Sequence, residues 1–160
     1  MTGGEVSLRP YWESDLMRVV RLYRNSVIEI GPQEYSPQKV EIWASYPDDI
    51  DGFNSILLNG VTYVTETKDG LVSFGTLNPL NHLAYLYTIK EYSRRGIATS
   101  IYIQLEKHAV NSGILEIHTE ASKIAGPFFL KQGFKIVEEE IVIRKGVEFE
   151  RFKMTKKLAY

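Results

Sequence analysis

Two kinds of hydrophobic periodicity alternate along the chain and predict an order of strands and helices. Apolar residues at three- and four-residue spacing are typical of helices with one buried face. Helices are predicted on this basis to begin near positions 13, 37, 49 and 97, with a shorter one over 124–132. Alternating or continuously apolar runs predict strands at 6–9, 61–66, 71–77, 82–88, 114–119, 134–144 and 147–154.

Turn-forming residues mark the boundaries between these segments. Ser36-Pro37 is typical of a helix start, with an N-cap followed by proline, and Gly31-Pro32 is typical of a helix end. Lys68-Asp69-Gly70 and Lys145-Gly146 have the composition of hairpin turns, and Asn78-Pro79 marks a further turn. The positions of these turn-forming residues therefore agree with the boundaries that the hydrophobic periodicity predicts.

The connections between the predicted strands give the sheet its directions. Short turns join the strands at 61–66, 71–77 and 82–88, which makes them antiparallel neighbours. A helix separates 82–88 from 114–119, which predicts a parallel pair with a right-handed crossover. We therefore predict an α/β (α+β) fold with a central mixed, mostly antiparallel twisted sheet and helices on both of its faces.

Composition narrows the classes of function. A length of 160 residues suits one domain, expected to cover 1–160, and the apolar fraction of 44% is that of an ordinary globular protein. A net charge of −1 gives no support for nucleic-acid or anionic-membrane partners. The absence of cysteine excludes disulfides and thiolate catalysis.

The sequence also indicates where the protein is located, but it does not determine the oligomeric state. No apolar run approaches the ~20 residues of a membrane span. Residues Met1–Glu5 lack the basic and apolar regions of a signal peptide, so we expect a cytoplasmic protein. No residue demands an oligomer, and a monomer and a homodimer are both compatible with the sequence.

The stretch 88–100 carries the strongest candidate chemistry. It leads from an apolar segment through a polar turn with Arg94 and Arg95 into a helix, and Gly96 stands at the junction. The first amides of a helix lack internal partners and, with the helix dipole, favour an anion such as phosphate. The two guanidinium groups add charge and forked donors. The alternative is a solvated turn that only starts a helix.

This turn resembles a known signature. Ser93-Arg94-Arg95-Gly96-Ile97-Ala98 is similar to the acyl-CoA motif R/Q-x-x-G-x-G/A of the GNAT superfamily of N-acyltransferases. Alanine at the last position is a common variant, whereas Ser93 departs from the arginine or glutamine of the family. The predicted order of strands and helices also resembles the GNAT fold along almost the whole chain.

The resemblance implies an N-acetyltransferase that moves an acetyl group from acetyl-CoA to a primary amine of a small-molecule or peptide acceptor by direct attack. The alternative is a non-catalytic acyl-CoA-binding or sensing protein on the same fold. Contacts to CoA are implied for residues of the strand end, the glycine turn and the helix at 124–132: Thr88, Ile89, Lys90, Arg94, Arg95, Gly96, Ile97, Ala98, Thr99, Ser122, Phe128 and Phe129. For Ser122, a helix N-cap is an equally good interpretation.

The residues from Pro127 to Phe134 resemble the family segment P-F-Y-x-x-x-G-F. In many members the tyrosine of that segment protonates the departing thiolate, but here the matching residue is Phe129. Either another group acts as the acid, or the thiolate leaves unassisted, which a thiol pKa of about 8.5 allows. Tyr85, Tyr87 and Tyr92 are possible substitutes, with packing as their alternative role.

The reaction further requires a polarised carbonyl and a base. A backbone N–H near Thr88 is predicted to polarise the thioester carbonyl. His82 is the best candidate for the base because of its intrinsic pKa. The resemblance adds that His82 lies six residues before Thr88, where several family members carry a catalytic glutamate or histidine. The alternative is a strand-start histidine that is hydrogen-bonded to a turn.

The remaining histidines and nearby carboxylates receive structural interpretations. His118 and Glu120 alternate on the neighbouring strand and are expected to face solvent or to bond a loop. The three histidines of the chain lack ligand spacing with carboxylates, so no metal is predicted.

Overall fold

The computed structural model of the protein describes residues 6–158. The strands are β1 (Ser7–Pro10), β2 (Val61–Thr67), β3 (Gly70–Leu77), β4 (His82–Thr88), β5 (Glu116–Ala121), β6 (Lys135–Arg144) and β7 (Val147–Lys157). The helices are α1 (Leu16–Ile30), α2 (Pro37–Ala44), α3 (Ile50–Asn59), α4 (Ile97–Asn111) and α5 (Gly126–Lys131). Residues 1–5, which carry the signal-peptide prediction, lie outside the described residues. Within 6–158, no helix combines the length and apolarity needed to cross a bilayer.

The seven strands form one sheet in the order β1-β2-β3-β4-β5-β7-β6. Neighbouring strands are antiparallel except for β4 and β5, which are parallel. The parallel pair is required because α4 carries the chain back across the sheet between these two strands. The predicted fold class, a mixed and mostly antiparallel sheet, is confirmed.

Helices cover both faces of the sheet, as predicted. On one face α1 and α3 contribute Tyr23 and Phe53 to a buried cluster with Phe74 of β3. On the other face α4 packs Ile101 and Leu105 onto the sheet in a second cluster. Because apolar residues point to both sides of the central strands, the sheet is the layer between two cores.

The sheet opens between β4 and β5. These strands pair only at His82 with His118 and at Leu83 with Thr119. Further along, β4 stays bound to β3, and the Ile89 N–H donates to Val72 O over 3.0 Å. Backbone groups alternate in direction along a strand, so the N–H of Thr88 points the other way, into the gap. We call the gap between β4 and β5 beyond these pairs the cleft.

Some predicted boundaries and burial assignments are wrong. The strand predicted at 114–119 begins at Glu116, because the Ile114 N–H still bonds Ala109 O in the last turn of α4. The strand β4 was expected to be mostly buried, yet only Leu83 in it is buried. The other residues of β4 are half-buried because the cleft and an adjoining cavity expose them.

Candidate active site

A cavity of about 270 Å³ adjoins the cleft. Its inner wall consists of residues 83–88 of β4 and 119–121 of β5. Its outer wall consists of residues from the end of α1 to just beyond α2 and of the hairpin formed by β6 and β7. The cavity exists because the two parallel strands diverge and leave a space that neither hydrophobic core fills. The segments of the outer wall cover this space.

The glycine turn lies at the start of α4. Gly96 has φ +77°, a left-handed conformation that glycine adopts without strain. The first backbone bond of the helix runs from the Ser100 N–H to Gly96 O, so the N–H groups of residues 97–99 lack helical partners. Arg94 and Arg95 are exposed beside them. The turn therefore has the donors and the positive charge that an anion requires.

The strand end leading to this turn is only partly free. The Lys90 N–H donates to Glu29 Oε1 over 3.1 Å, and the Ile89 N–H is taken by β3. Of the three predicted backbone positions, Thr88 is the one whose N–H faces the cleft. Its side chain is held by a 2.8 Å hydrogen bond between the hydroxyls of Thr88 and Ser73.

The segment around α5 borders the far side of the cleft. Ser122 Oγ accepts a 3.1 Å hydrogen bond from the Ala125 N–H in the turn before α5. The N-cap of α5 is Ala125, so Ser122 is not the N-cap that was weighed as its alternative. Phe129 is buried and lines the cavity, with its ring centroid 5.2 Å from that of Phe134. Phe128 is half-buried against Phe129.

His82 lies at the closed end of the cleft between two acceptors. Its Nδ1 is 3.0 Å from Asn78 O, and its Nε2 is 2.9 Å from Glu120 Oε1. A neutral imidazole carries only one N–H, so two facing acceptors favour the imidazolium form. The hydrogen bond with Glu120 accordingly raises the pKa of His82 against the opposing effect of burial. The same bond lowers the pKa of Glu120.

The structure corrects the expectation for Glu120, which was predicted to face solvent or to bond a loop. The parallel register sets His118 opposite His82, and Glu120 lies on the same face two residues further along β5. Glu120 lines the cavity and binds His82 directly. Sequence reasoning missed this pair because it depends on which residue of β5 faces which residue of β4.

The premise of the metal prediction is also wrong. Ligand atoms of His82, His118 and Glu120 all lie within 4.8 Å of one another. The 2.9 Å separation of His82 Nε2 and Glu120 Oε1 is nevertheless that of a hydrogen bond, and it is shorter than the spacing of two ligand atoms around a tetrahedral zinc ion with bonds of about 2.0–2.2 Å. That no metal takes part in the reaction stays a prediction.

Residues 32–158 match the family described as Acetyltransferase (GNAT) domain. The chain belongs to this family. It is 28% identical over 150 residues to an uncharacterized N-acetyltransferase of Escherichia coli K12, YafP, covering 93% of this chain and 94% of that protein. Both findings support an acyl-CoA-dependent acetyltransferase.

Solved structures agree with the family assignment. A GCN5-related N-acetyltransferase from Rhodopseudomonas palustris, also named Aminotransferase, Class-II, is similar with a TM-score of 0.92 and 29% identity over 99% of both chains. The PaiA N-acetyltransferase of Thermoplasma acidophilum, solved in complex with coenzyme A, has a TM-score of 0.77 and 20% identity over 96% of this chain and 99% of its own. The second likeness shows the fold alone.

Many GNAT enzymes use a tyrosine as the general acid that protonates the thiolate, and Phe129 stands at that position here. The tyrosines near the cavity are therefore relevant as alternative acids. The Tyr92 hydroxyl donates to Asp69, and the Tyr87 hydroxyl accepts from Trp43 Nε1 over 3.1 Å. Tyr85 lines the cavity and, within residues 6–158, its hydroxyl has no hydrogen-bond partner. Burial raises its pKa to about 12, so Tyr85 keeps its proton at neutral pH.

Proposed function

We propose that this GNAT enzyme transfers the acetyl group of acetyl-CoA to a primary amine of a small-molecule or peptide acceptor by direct attack. One juxtaposition supports the proposal. The N–H of Thr88 is turned into the cleft, and Glu120 of β5 lines the cavity that also contains Thr88, while His82 of β4 lies behind Glu120 and binds it over 2.9 Å. An oxyanion donor and an acid–base pair thus flank one space.

The cosubstrate is assigned to the cleft and the glycine turn. The pantetheine arm would extend along the open edge of β4 at Thr88, as an added strand does. The diphosphate would lie on the amides of residues 97–99, where Arg94 and Arg95 supply charge-assisted hydrogen bonds. Phe128 and Phe129 would border the thiol end from α5.

The chemistry follows from these assignments. The ammonium of the acceptor gives its proton to the carboxylate of Glu120, which passes it on to Nε2 of neutral His82 over their 2.9 Å contact. The freed amine attacks the thioester carbon and forms the C–N bond, while the Thr88 N–H donates to the developing oxyanion. The C–S bond then breaks, and the CoA thiolate leaves unassisted and takes a proton from water, because Tyr85, with its pKa raised to about 12, holds its proton more tightly than a thiol with a pKa of about 8.5 does. Proximity of the amine and the thioester supplies a further part of the acceleration.

The proposal is tested by thiol release from acetyl-CoA with a panel of amines. Replacing the base, as in His82→Ala, is expected to lower kcat by about 10²–10⁴ without changing the Kd for CoA. His108→Ala is the matched control, because His108 lies on α4 away from the cleft. Unchanged turnover in His82→Ala would exclude His82 as the base. Tight CoA binding with no release for any amine would count against acetyl transfer.

A further inference from the structure

We propose, on the basis of the proposed function, that the acceptor is a small primary amine that carries one charge and an uncharged, ring-sized apolar body, as in the arylalkylamines. The argument concerns the part of the cavity between α2 and the hairpin of β6 and β7, which we call the acceptor pocket. The whole cavity, at about 270 Å³, is slightly smaller than the ~300–1,000 Å³ typical of small-molecule sites, so its acceptor part has room only for a small ligand.

The acceptor pocket and the adjoining face of β4 are lined with aromatic side chains. Their rings come from three separate parts of the chain and line one continuous space. They are Tyr35, Trp43, Tyr46, Tyr85, Tyr87 and Phe149. Aromatic faces bind apolar and aromatic groups in offset or edge-to-face geometry and attract a cation as well. A wall of this kind favours a flat or apolar ligand body.

The polar ends of three rings in this wall, those of Tyr35, Trp43 and Tyr87, are already occupied. Trp43 Nε1 donates to the Tyr87 hydroxyl over 3.1 Å. The Tyr35 hydroxyl donates to Glu150 O over 3.2 Å and accepts from the Lys123 N–H over 3.1 Å. Because these groups are satisfied within the protein and Phe149 has no polar atom, the pocket offers mostly ring surface, and the Tyr85 hydroxyl adds a hydrogen-bonding group.

The charged groups of the pocket are occupied in the same way. The charged residues that line the cavity are Glu120, Glu150 and Arg151. Glu120 binds His82, Glu150 binds Lys123 over 2.7 Å, and Arg151 binds Glu140. A carboxylate on the acceptor, as in an amino acid, would find no unpaired cation in this lining. With Glu120 engaged by the reacting amine, the second ammonium of a polyamine would have to compete with Lys123 for Glu150.

The test compares benzylamine with lysine and spermidine as acceptors in the thiol-release assay. The kcat/KM for benzylamine is expected to exceed the other two at least about tenfold, because burying a ring-sized apolar group contributes a factor of this order. Equal or better turnover of lysine or spermidine would overturn the inference and leave the proposed function intact.

A variant pair localises the effect. Phe149 pairs with Val142 across the hairpin, and both line the cavity, whereas Ile143 lies on the opposite, exposed face. Phe149→Ala is expected to raise the KM for benzylamine about 3- to 10-fold, and Ile143→Ala to leave it unchanged. An unchanged KM in Phe149→Ala would contradict the assignment of the pocket.

A binding measurement separates the two proposals if no amine is acetylated. Calorimetry with the CoA-saturated protein compares benzylamine with spermidine directly. Weaker binding of spermidine supports the inference even without turnover. Absence of benzylamine binding overturns it.

Discussion

Removing the carboxylate of Asp15 is predicted to destabilise the fold strongly, although Asp15 is far from the proposed chemistry. Its side chain has no exposed surface and accepts hydrogen bonds from Arg9 Nη1 at 2.9 Å, Arg9 Nη2 at 3.0 Å and the Trp12 N–H at 2.8 Å. Arg18 adds a further bond. The side chain of Arg9 is itself only 12% exposed, so Asp15→Ala leaves a nearly buried guanidinium without its main partner.

The magnitude follows from this burial. Removing one partner of a buried ion pair costs about 3–5 kcal/mol of unfolding free energy. For a chain of this size each kcal/mol lowers the Tm by about 2–4 °C, so Asp15→Ala should lower it by about 6–20 °C. Calorimetry and urea unfolding measure the two quantities. Arg18→Ala is the control, because the side chain of Arg18 is 44% exposed and an exposed pair contributes about 0–1 kcal/mol.

The stabilisation by Asp15 is also expected to depend on pH, which gives a second test of this prediction. Burial alone would raise the pKa of Asp15, but its hydrogen bonds with Arg9 and the Trp12 N–H lower the net value. Its stabilisation is therefore fully present above the pKa of the unfolded carboxyl and is lost as the pH falls through the folded pKa. The difference between the wild type and Asp15→Ala should shrink in acid. A loss of 1 kcal/mol or less at neutral pH would refute the reasoning.

Three further predictions concern the site and its supports. Glu120→Gln should move the acidic limb of the pH–rate profile to lower pH, because the hydrogen bond with Glu120 is the main cause that raises the pKa of His82; an unmoved limb would exclude this coupling. Arg95→Ala should raise the Kd for CoA, measured calorimetrically, by about 10-fold or more, and unaltered affinity would remove the diphosphate from that turn. Gly75→Ala should lower the urea-unfolding free energy by about 1–3 kcal/mol, because its new Cβ would lie 2.8 Å from Ile101 Cγ2. An unchanged free energy of unfolding would mean that α4 moves away from the new Cβ at no cost.

Local sequence features explain why most of the fold was predictable. Helix starts such as Ser36-Pro37 are decided by neighbours: Ser36 Oγ accepts from the Lys39 N–H, as an N-cap does. The turn at Gly96 was predictable for the same reason, since a left-handed residue before an apolar helical pattern favours glycine. The parallel pair of β4 and β5 followed from the helix that connects them.

The candidate site was less predictable because its key contact spans the sheet. The bond between His82 and Glu120 joins residues 38 positions apart and depends on a register that no local pattern encodes. Which amide near Thr88 faces the cleft depends equally on the pairing of β4 with β3. The aromatic wall was not predicted either, because its rings come from three parts of the chain that only the folded structure brings together.

The divergence of β4 and β5 has a mechanical consequence for the whole molecule. Only two residue pairs join the backbone ladders of the two halves of the sheet, which otherwise share the core under α4. A cosubstrate that lies against the free edge of β4 would form backbone hydrogen bonds there and make the region between β4 and β5 more rigid. We therefore expect ordered addition, with acetyl-CoA first, and slower amide hydrogen exchange along both strands once it is bound.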